Sequence, residues 1–160
     1  METMNSSSPE WSLVTGVGAR PIAVASVLWT YSRIFNIKEL YLLPSEKTLC
    51  HAENLRKVAM LLFGDIEVAI EAVDETDLGA IASKVEDLIR KIKNKGYRVA
   101  VDVTAGRKTM SLAFYKAGVL GGADLITYLY LRETYFENVL FPLIPKHLTR
   151  LVKLHGRLDY

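Results

Sequence analysis

Cysteine, histidine and long apolar runs are scarce in this chain of 160 residues. Cys50 is the only cysteine, which excludes an internal disulfide and a cysteine-based zinc site. The longest apolar runs, such as residues 21–30, are too short to cross a bilayer, and we expect no membrane partner. The net charge of +2 is too small to indicate a nucleic-acid surface, and we expect no stable DNA or RNA duplex partner.

The first ten residues, METMNSSSPE, contain no cationic segment that leads into an apolar one. They therefore lack the pattern of a secretory signal, and we expect a cytoplasmic protein with a flexible tail over residues 1–10. Hydrophobic residues make up 50% of the chain and charged residues 24%, as in a globular domain. We predict one such domain over residues 11–144, followed by a basic tail or short helix over residues 145–160.

Apolar, β-branched stretches alternate with amphipathic stretches along the chain. The order of strand then helix, repeated four times, predicts an α/β fold with a mainly parallel sheet and helices on both faces. We predict a Rossmann-like, doubly wound sheet of six strands whose last strand is antiparallel, joined as a hairpin to the fifth. The predicted strands are residues 11–15, 38–43, 66–73, 97–103, 124–131 and 138–144, and the predicted helices are residues 21–35, 51–63, 74–95 and 108–120.

The turn after the fourth strand is small and basic, with the sequence Thr104-Ala105-Gly106-Arg107-Lys108-Thr109. A strand that passes through a glycine turn into a helix directs backbone N–H groups and the positive helix end at one point. Arg107 and Lys108 add two full charges there. The turn therefore has the chemistry of a phosphate site, although a strand–helix turn with two solvated cations is an equally simple interpretation.

Two other turns are expected beside it. In a doubly wound sheet the first and fourth strands are neighbours, and ligands bind beyond their carboxyl ends. The turn Thr15–Arg20 should then meet Thr104–Lys108, and the turn Ser45–Thr48 after the second strand should flank both. We predict one crevice lined by the cations of the three turns: Arg20, Lys47, Arg107 and Lys108.

Two common nucleotide motifs fit this chain poorly. Gly16 and Gly18 match the first two glycines of a dinucleotide fingerprint, but Pro21 replaces the third, and the second strand ends at Pro44 without a ribose-binding acid. The segment 106–109 resembles the end of a Walker loop, but Arg107 separates the glycine from the lysine. A nicotinamide or flavin enzyme and an NTPase are therefore both disfavoured, and we expect no cofactor.

The segment 102–110, DVTAGRKTM, follows a buried strand and is similar to the D-x-T-x-G-x-K-x-M signature of CARF domains, the CRISPR-associated Rossmann-fold sensors of type III systems. The first turn, Thr15-Gly16-Val17-Gly18, resembles the other motif of that family. The order of strands and helices fits over residues 11–144. The resemblance implies a homodimer that binds a cyclic oligoadenylate, commonly the four- or six-membered ring, across its two-fold axis, and we expect cyclic tetra-adenylate.

The resemblance also assigns roles to particular residues. The first turn would contact phosphate and ribose, the second would hold the phosphate that is cleaved or its neighbour, and the turn after strand two would meet the adenine edge. Asp102 and Thr104 would shape the second turn from behind, with Met110 packed beneath it. The implied ligand-binding residues are Thr15, Gly16, Val17, Gly18, Arg20, Ser45, Glu46, Lys47, Asp102, Thr104, Ala105, Gly106, Arg107, Lys108 and Met110.

Few residues follow Ile144, and some free-standing CARF proteins are ring nucleases, which cut the messenger and switch the type III response off. The resemblance therefore implies a metal-independent cleavage in which a ribose 2′-OH attacks its own 3′-phosphate and leaves a 2′,3′-cyclic phosphate. Lys108 or Arg107 would stabilise the developing charge, and the Thr15 hydroxyl would fix the ribose. The alternatives are a sensor or sponge without catalysis and a transcriptional regulator that uses the basic tail.

Other polar and aromatic residues carry weaker predictions. We expect His51, His147 and His155 on the solvated surface, although His147 or Lys146 would reach the ligand if the tail folded over the crevice. Aromatic residues near the predicted hairpin favour a dimer face over a base-binding site; they are Tyr128, Tyr130, Tyr135 and Phe136.

Overall fold

A mixed six-stranded sheet forms the centre of the computed structural model, which describes residues 7–156. The strand order is β3-β2-β1-β4-β5-β6, and every neighbouring pair is parallel except β5 and β6. The prediction of a mainly parallel sheet with an antiparallel last strand is therefore confirmed. The strands are β1 (Glu10–Val17), β2 (Asn36–Pro44), β3 (Glu67–Ile70), β4 (Arg98–Asp102), β5 (Leu125–Leu131) and β6 (Thr149–Gly156).

The helices cover both faces of this sheet, as predicted. Two of them pack on one face, α1 (Pro21–Ser32) and α2 (Leu49–Phe63), and two on the other, α3 (Leu78–Asn94) and α4 (Lys108–Gly121). Among the described residues, none of the helices is both long and apolar enough to cross a membrane.

The central position of β1 decides where the turns lie. Every residue of β1 after Glu10 is buried, because helices cover both of its faces, and this explains its run of apolar residues. Thr15 is in register with Leu42 of β2 and with Asp102 of β4. The carboxyl ends of these three strands are therefore almost level, and the turns that follow them emerge at one edge of the sheet. The helices α1 and α4, which start there, lie on opposite faces.

The predictions for the chain after β5 were wrong. Residues 132–148 do not form a hairpin strand over 138–144 but contain three short 3₁₀ turns, and the sixth strand is β6, within the segment predicted as a tail or short helix. The physical reason lies in Pro142 and Pro145, which lack the N–H that a strand ladder needs. The sheet therefore extends to Gly156, and Glu10 belongs to β1 rather than to a tail; residues 1–6 and 157–160 lie outside the described chain.

The junction of β5 and β6 can be tested with matched glycine substitutions. Gly156 and Gly96 both have a positive φ, +89° and +86°. A Cβ at Gly156 would lie 1.9 Å from the Asp124 carbonyl oxygen, whereas a Cβ at Gly96 would meet nothing within 4 Å. We expect Gly96→Ala to lower the free energy of unfolding by about 1 kcal/mol, and Gly156→Ala to lower it by at least about 1 kcal/mol more. Urea denaturation of the two variants measures this, and equal losses would argue against the position of β6.

Candidate functional site

The turn after β1 and the turn after β4 touch through their backbones. A Cβ added at Gly18 would lie 2.8 Å from the Gly106 nitrogen and 3.1 Å from its Cα, which leaves no room for a side chain. Gly106 itself has a φ of +100°, a conformation that other residues rarely adopt. The two predicted turns are therefore brought together, and glycine at both positions is what allows the contact.

Met110 supports both turns from below. Its side chain is almost fully buried, at 1% exposure. Added Cβ atoms at Gly16 and Gly106 would each lie 3.1 Å from this side chain, from Cε and Sδ respectively. The flexible thioether therefore fills the space under the two turns, in the position that the sequence motif predicts for it.

The turn after β2 is joined to the first turn by one hydroxyl group. Thr48 Oγ1 donates a hydrogen bond to the Val17 carbonyl over 2.9 Å and accepts one from the Ser45 amide over 3.0 Å. The buried Thr48 thereby fixes Ser45 and Lys47 next to the first turn. All three predicted turns consequently lie at one edge of the sheet.

A cavity of about 580 Å³ opens between these turns and the chain after β5. Arg20, Lys47 and Arg107 line it together with backbone atoms of the glycine turns. A volume of this size is typical of ligand-binding pockets, which span roughly 300–1,000 Å³.

The amino-terminal ends of α1 and α4 both face this cavity. Arg20 and Arg107 occupy the N-cap positions, neither helix has a side-chain cap, and neither has an acid in its first turn. In contrast, the Asp77 side chain caps α3 by accepting from the Ala80 amide. The first-turn N–H groups of α4 thus lack a capping carboxylate or hydroxyl, whereas α1 offers fewer free N–H groups because Pro21 has none and the Ala23 amide donates to the Arg20 carbonyl over 3.2 Å. Both helix dipoles present their positive ends to the cavity. This arrangement favours an anion.

Carboxylates from the cavity wall pair with both arginines. Arg107 Nε lies 3.1 Å from Glu75 Oε1, and Arg20 forms an ion pair with Glu137. Both glutamates line the cavity. The arginines are therefore held near the cavity by acidic groups, and an incoming phosphate would have to exchange with these carboxylates.

The second turn is held from behind by a buried polar network around Asp102. One carboxylate oxygen of Asp102 accepts from the Thr104 amide over 3.0 Å, and the other accepts from the Thr127 hydroxyl over 2.8 Å. The Thr127 hydroxyl also pairs with the phenol of Tyr31 on α1. Thr104 Oγ1 in turn accepts from the Leu129 amide over 2.8 Å. The network ties the turn to α1 and to β5, so its backbone is positioned before any ligand arrives.

Burial shifts the titration of this network. Asp102 is fully buried, and desolvation raises the pKa of its carboxyl group from the ordinary 3.8 to about 6, although the hydrogen bonds from Thr104 and Thr127 act in the opposite direction. Desolvation, reinforced by the nearby Asp102 carboxylate, also raises the pKa of the Tyr31 phenol well above its usual value. At neutral pH, the fold therefore carries a buried charge behind the turn.

The predicted site residues divide into those that line the cavity and those that do not. Thr15 is fully buried and its hydroxyl donates to the Gly16 carbonyl over 3.3 Å, while Asp102 lies behind the turn. Gly16 is buried outside the cavity lining, and Glu46 and Lys108 are exposed outside it, as are Lys146 and His147. The predicted residues that do line it are Val17, Gly18, Arg20, Ser45, Lys47, Thr104, Ala105, Gly106, Arg107 and Met110.

One wall of the cavity was missed by the sequence reasoning. It is formed by residues 128–131 of β5 and by parts of the segment 132–149, including Glu137 and the aromatic residues Tyr128, Tyr130, Phe136 and Phe141. The expectation of a hairpin placed three of these side chains, Tyr128, Tyr130 and Phe136, on a dimer face. The two prolines of the segment were the signal that the chain leaves the sheet there and can return across its carboxyl edge.

The raised pKa of Asp102 predicts a specific dependence of stability on pH. The pKa of the Asp102 carboxyl is higher in the folded state than in the unfolded state. Its contribution to the free energy of unfolding is therefore complete below about pH 4 and is lost as the pH rises through about 6. The difference between 3.8 and about 6 corresponds to about 3 kcal/mol. Asparagine does not ionise, so only the wild type loses this stability as the pH rises. Urea denaturation should therefore show that the free energy of unfolding of Asp102→Asn increases by about 3 kcal/mol relative to that of the wild type between pH 4 and pH 8. An unchanged difference between the two proteins across this range would contradict the buried, costly carboxylate.

The fold of this chain is similar to that of several solved structures, whereas comparisons of its sequence find no match. No protein-family model matches the chain, and no curated protein matches it by sequence. Its structure is similar to Can2 from Sulfobacillus thermosulfidooxidans in complex with cyclic tetra-adenylate, with a TM-score of 0.58 and 14% identity over 73% of this chain. It is also similar to a type III CRISPR defence DNA nuclease activated by cyclic oligoadenylate, with a TM-score of 0.59 and 16% identity over 76% of the chain.

A third similar structure is Enterococcus italicus Csm6 bound to cyclic hexa-2′-fluoro-hexa-dAMP, with a TM-score of 0.63 and 14% identity over 79% of the chain. The matched region spans 31%, 19% and 34% of these three proteins, in the order given, so the chain corresponds to one part of each. Identities this low establish the fold and not the ligand. The chain has the Rossmann-type fold of CARF domains, as its D-x-T-x-G-x-K-x-M segment predicts.

Proposed function

We propose that this chain binds a cyclic oligoadenylate, specifically cyclic tetra-adenylate, in the cavity between its three turns. The observation that carries the proposal is the meeting of two helix N-termini without side-chain caps, those of α1 and α4, with Arg20, Lys47 and Arg107 at one cavity. Such a site suits a ligand with several phosphates. The similar structures give independent support: Can2 is in complex with cyclic tetra-adenylate, Csm6 is bound to a cyclic hexanucleotide, and the DNA nuclease is activated by cyclic oligoadenylate.

A second copy of the chain would complete the site. One face of α4, the helix that begins at the second turn, exposes large apolar side chains: Leu112, Tyr115, Val119 and Leu120. These positions follow helical spacing, so they form one stripe, and such a stripe is typical of an interaction surface. We propose that two copies pack through this stripe and that a symmetric ring spans their two cavities.

The phosphate role of Arg107 can be tested against a closely matched arginine. Arg107 and Arg90 have equally exposed side chains, at 69%, and each pairs with a carboxylate, but Arg90 lies on α3 outside the cavity lining. We expect Arg107→Gln to weaken binding of cyclic tetra-adenylate by about ten- to a hundredfold, because charge-assisted hydrogen bonds are lost. Arg90→Gln should leave the affinity unchanged. Isothermal titration calorimetry of both variants measures this, and equal behaviour of the two would place the ligand elsewhere.

We further propose that the bound ring is cleaved without a metal, which would switch off type III CRISPR signalling. A ribose 2′-hydroxyl loses its proton as its oxygen attacks the adjacent 3′-phosphorus, the P–O5′ bond breaks, and the leaving 5′-oxygen gains a proton, so that no proton is gained or lost overall. The products are a 2′,3′-cyclic phosphate and a 5′-hydroxyl. Arg107, at the positive end of α4 and in the cavity lining, would stabilise the charge that develops on the phosphoryl oxygens. Lys108 and Thr15 would need to move to take part, because Lys108 lies outside the lining and Thr15 is buried.

Cleavage is separated from simple sensing by one incubation. The protein should convert cyclic tetra-adenylate in EDTA to linear products with a 2′,3′-cyclic phosphate, resolved by chromatography and mass spectrometry. Arg107→Gln should slow the conversion at saturating ring by about a hundredfold, the usual effect of removing one group that stabilises transition-state charge. Tight binding with an unchanged ring after prolonged incubation would favour the alternative, a sensor or sponge without catalysis.

A further inference from the structure

The strand β5 extends beyond its neighbour β4 at the edge of the sheet where the cavity lies. The pairing of β4 with β5 ends at Asp102 and Thr127, and the Val103 amide makes one more bond, to the Thr127 carbonyl over 2.9 Å. In contrast, β5 continues to Leu131, paired on its other side with β6. The side of β5 that faces β4 therefore has no paired strand over residues 128–131, and these residues line the cavity.

The alternation of a strand shows which backbone groups face this cavity. The Arg132 amide donates to the Leu148 carbonyl over 2.8 Å, so the even-numbered residues of this stretch direct their N–H and C=O groups toward β6. The odd-numbered residues point the other way: the Thr127 carbonyl accepts from Val103, and the Leu129 amide donates to Thr104 Oγ1. The Leu129 carbonyl and the Leu131 amide lie on this same side of β5. They lie beyond Thr104, the residue after β4 whose hydroxyl bonds to the Leu129 amide.

We propose that the Leu129 carbonyl and the Leu131 amide recognise the six-membered ring of adenine. This inference rests on the proposed function, because it assigns the base where the helix N-termini and arginines would hold the phosphates. Adenine carries a donor, the N6 amino group, next to an acceptor, N1. A carbonyl and an amide two residues apart on an extended strand present the matching acceptor and donor.

The same pair disfavours guanine. Guanine carries an acceptor, O6, next to a donor, the N1–H group, so its oxygen would face the Leu129 carbonyl and its N–H would face the Leu131 amide. Apolar side chains close this wall of the cavity, among them Phe136, Val139 and Phe141. They reduce the access of water, which makes each mismatched polar group more costly. Base selectivity would therefore come from backbone groups rather than from a polar side chain.

Rings with altered bases test the proposal on the wild-type protein. Three cyclic tetranucleotides with the same sugar–phosphate backbone are compared by calorimetry: one with adenine, one with guanine and one with unsubstituted purine, which lacks the N6 amino group. We expect the guanine and purine rings to bind at least about tenfold more weakly than the adenine ring. Equal affinity for all three rings would overturn the proposed base recognition but would not affect the proposed phosphate site. The unpaired edge of β5 would then be a candidate for pairing with a peptide strand. Failure of all three to bind would instead reject the proposed function, and this inference with it.

A pair of substitutions at Leu131 supplies the second test. Leu131→Pro removes the N–H on the cavity side without removing a hydrogen bond to β6, whereas Leu131→Ala keeps the N–H and shortens the side chain. We expect Leu131→Pro to bind the adenine ring about tenfold more weakly and to lose most of its preference over guanine. Leu131→Ala should retain that preference. Thermal unfolding checks that each variant is folded, and a folded Leu131→Pro variant with unchanged base preference would overturn the role of this amide.

Discussion

The contact between Gly18 and Gly106 is the constraint on which the rest of the site depends. Because β1 and β4 are adjacent and end within two residues of each other, their turns must pass each other, and they do so at a distance that excludes any Cβ at Gly18. The close approach brings the starts of α1 and α4 to one cavity although the two helices cover opposite faces of the sheet. A larger residue at Gly18 would push the two turns apart and separate the two helix ends, and a phosphate could then meet only one of them.

The electrostatics of the cavity follow from this geometry. The helix ends and three cationic side chains provide positive charge, while Glu75 and Glu137 hold Arg107 and Arg20 near the opening. Such pairs at the surface contribute little to stability, so exchange of a carboxylate for a ligand phosphate costs little. Behind the turn, in contrast, Asp102 and its hydrogen-bond partners hold the backbone in a fixed position. Burial of the carboxylate has an energetic cost that purely apolar packing would avoid. The arrangement combines a rigid backbone with exchangeable side-chain charges.

Local sequence signals predicted most of the fold and the turns of the site. Alternating strand and helix patterns, the glycines of the first and second turns, and the D-x-T-x-G-x-K-x-M segment all report on structure within a few residues. The sheet architecture is accordingly confirmed, and the fold is similar to that of the three solved structures. The assignment of ligand contacts within the turns remains a prediction. Thr15 shows why position in a motif is not enough, since β1 runs on to Val17 and buries that hydroxyl.

The far wall of the cavity depends on long-range structure, which the sequence reveals less directly. Residues 132–148 have neither a helical nor a strand period, and their course over the carboxyl edge of the sheet is set by β6, which pairs with β5. Pro142 indicated that the predicted strand over 138–144 was unfavourable, but it did not indicate where the chain goes instead. Backbone recognition at Leu129 and Leu131 is likewise invisible in the sequence, because it depends on β5 being longer than β4.

Backbone amide NMR during titration with cyclic tetra-adenylate tests the central claim most directly. Amides are the groups proposed to meet the phosphates, and each reports its own position. If the two turns form one anion site, the largest shift changes appear together in residues 18–20 and 106–109, and they saturate at the same ligand concentration. Changes confined to one turn, or to surfaces such as α2 and α3 that lie outside the cavity, would contradict it.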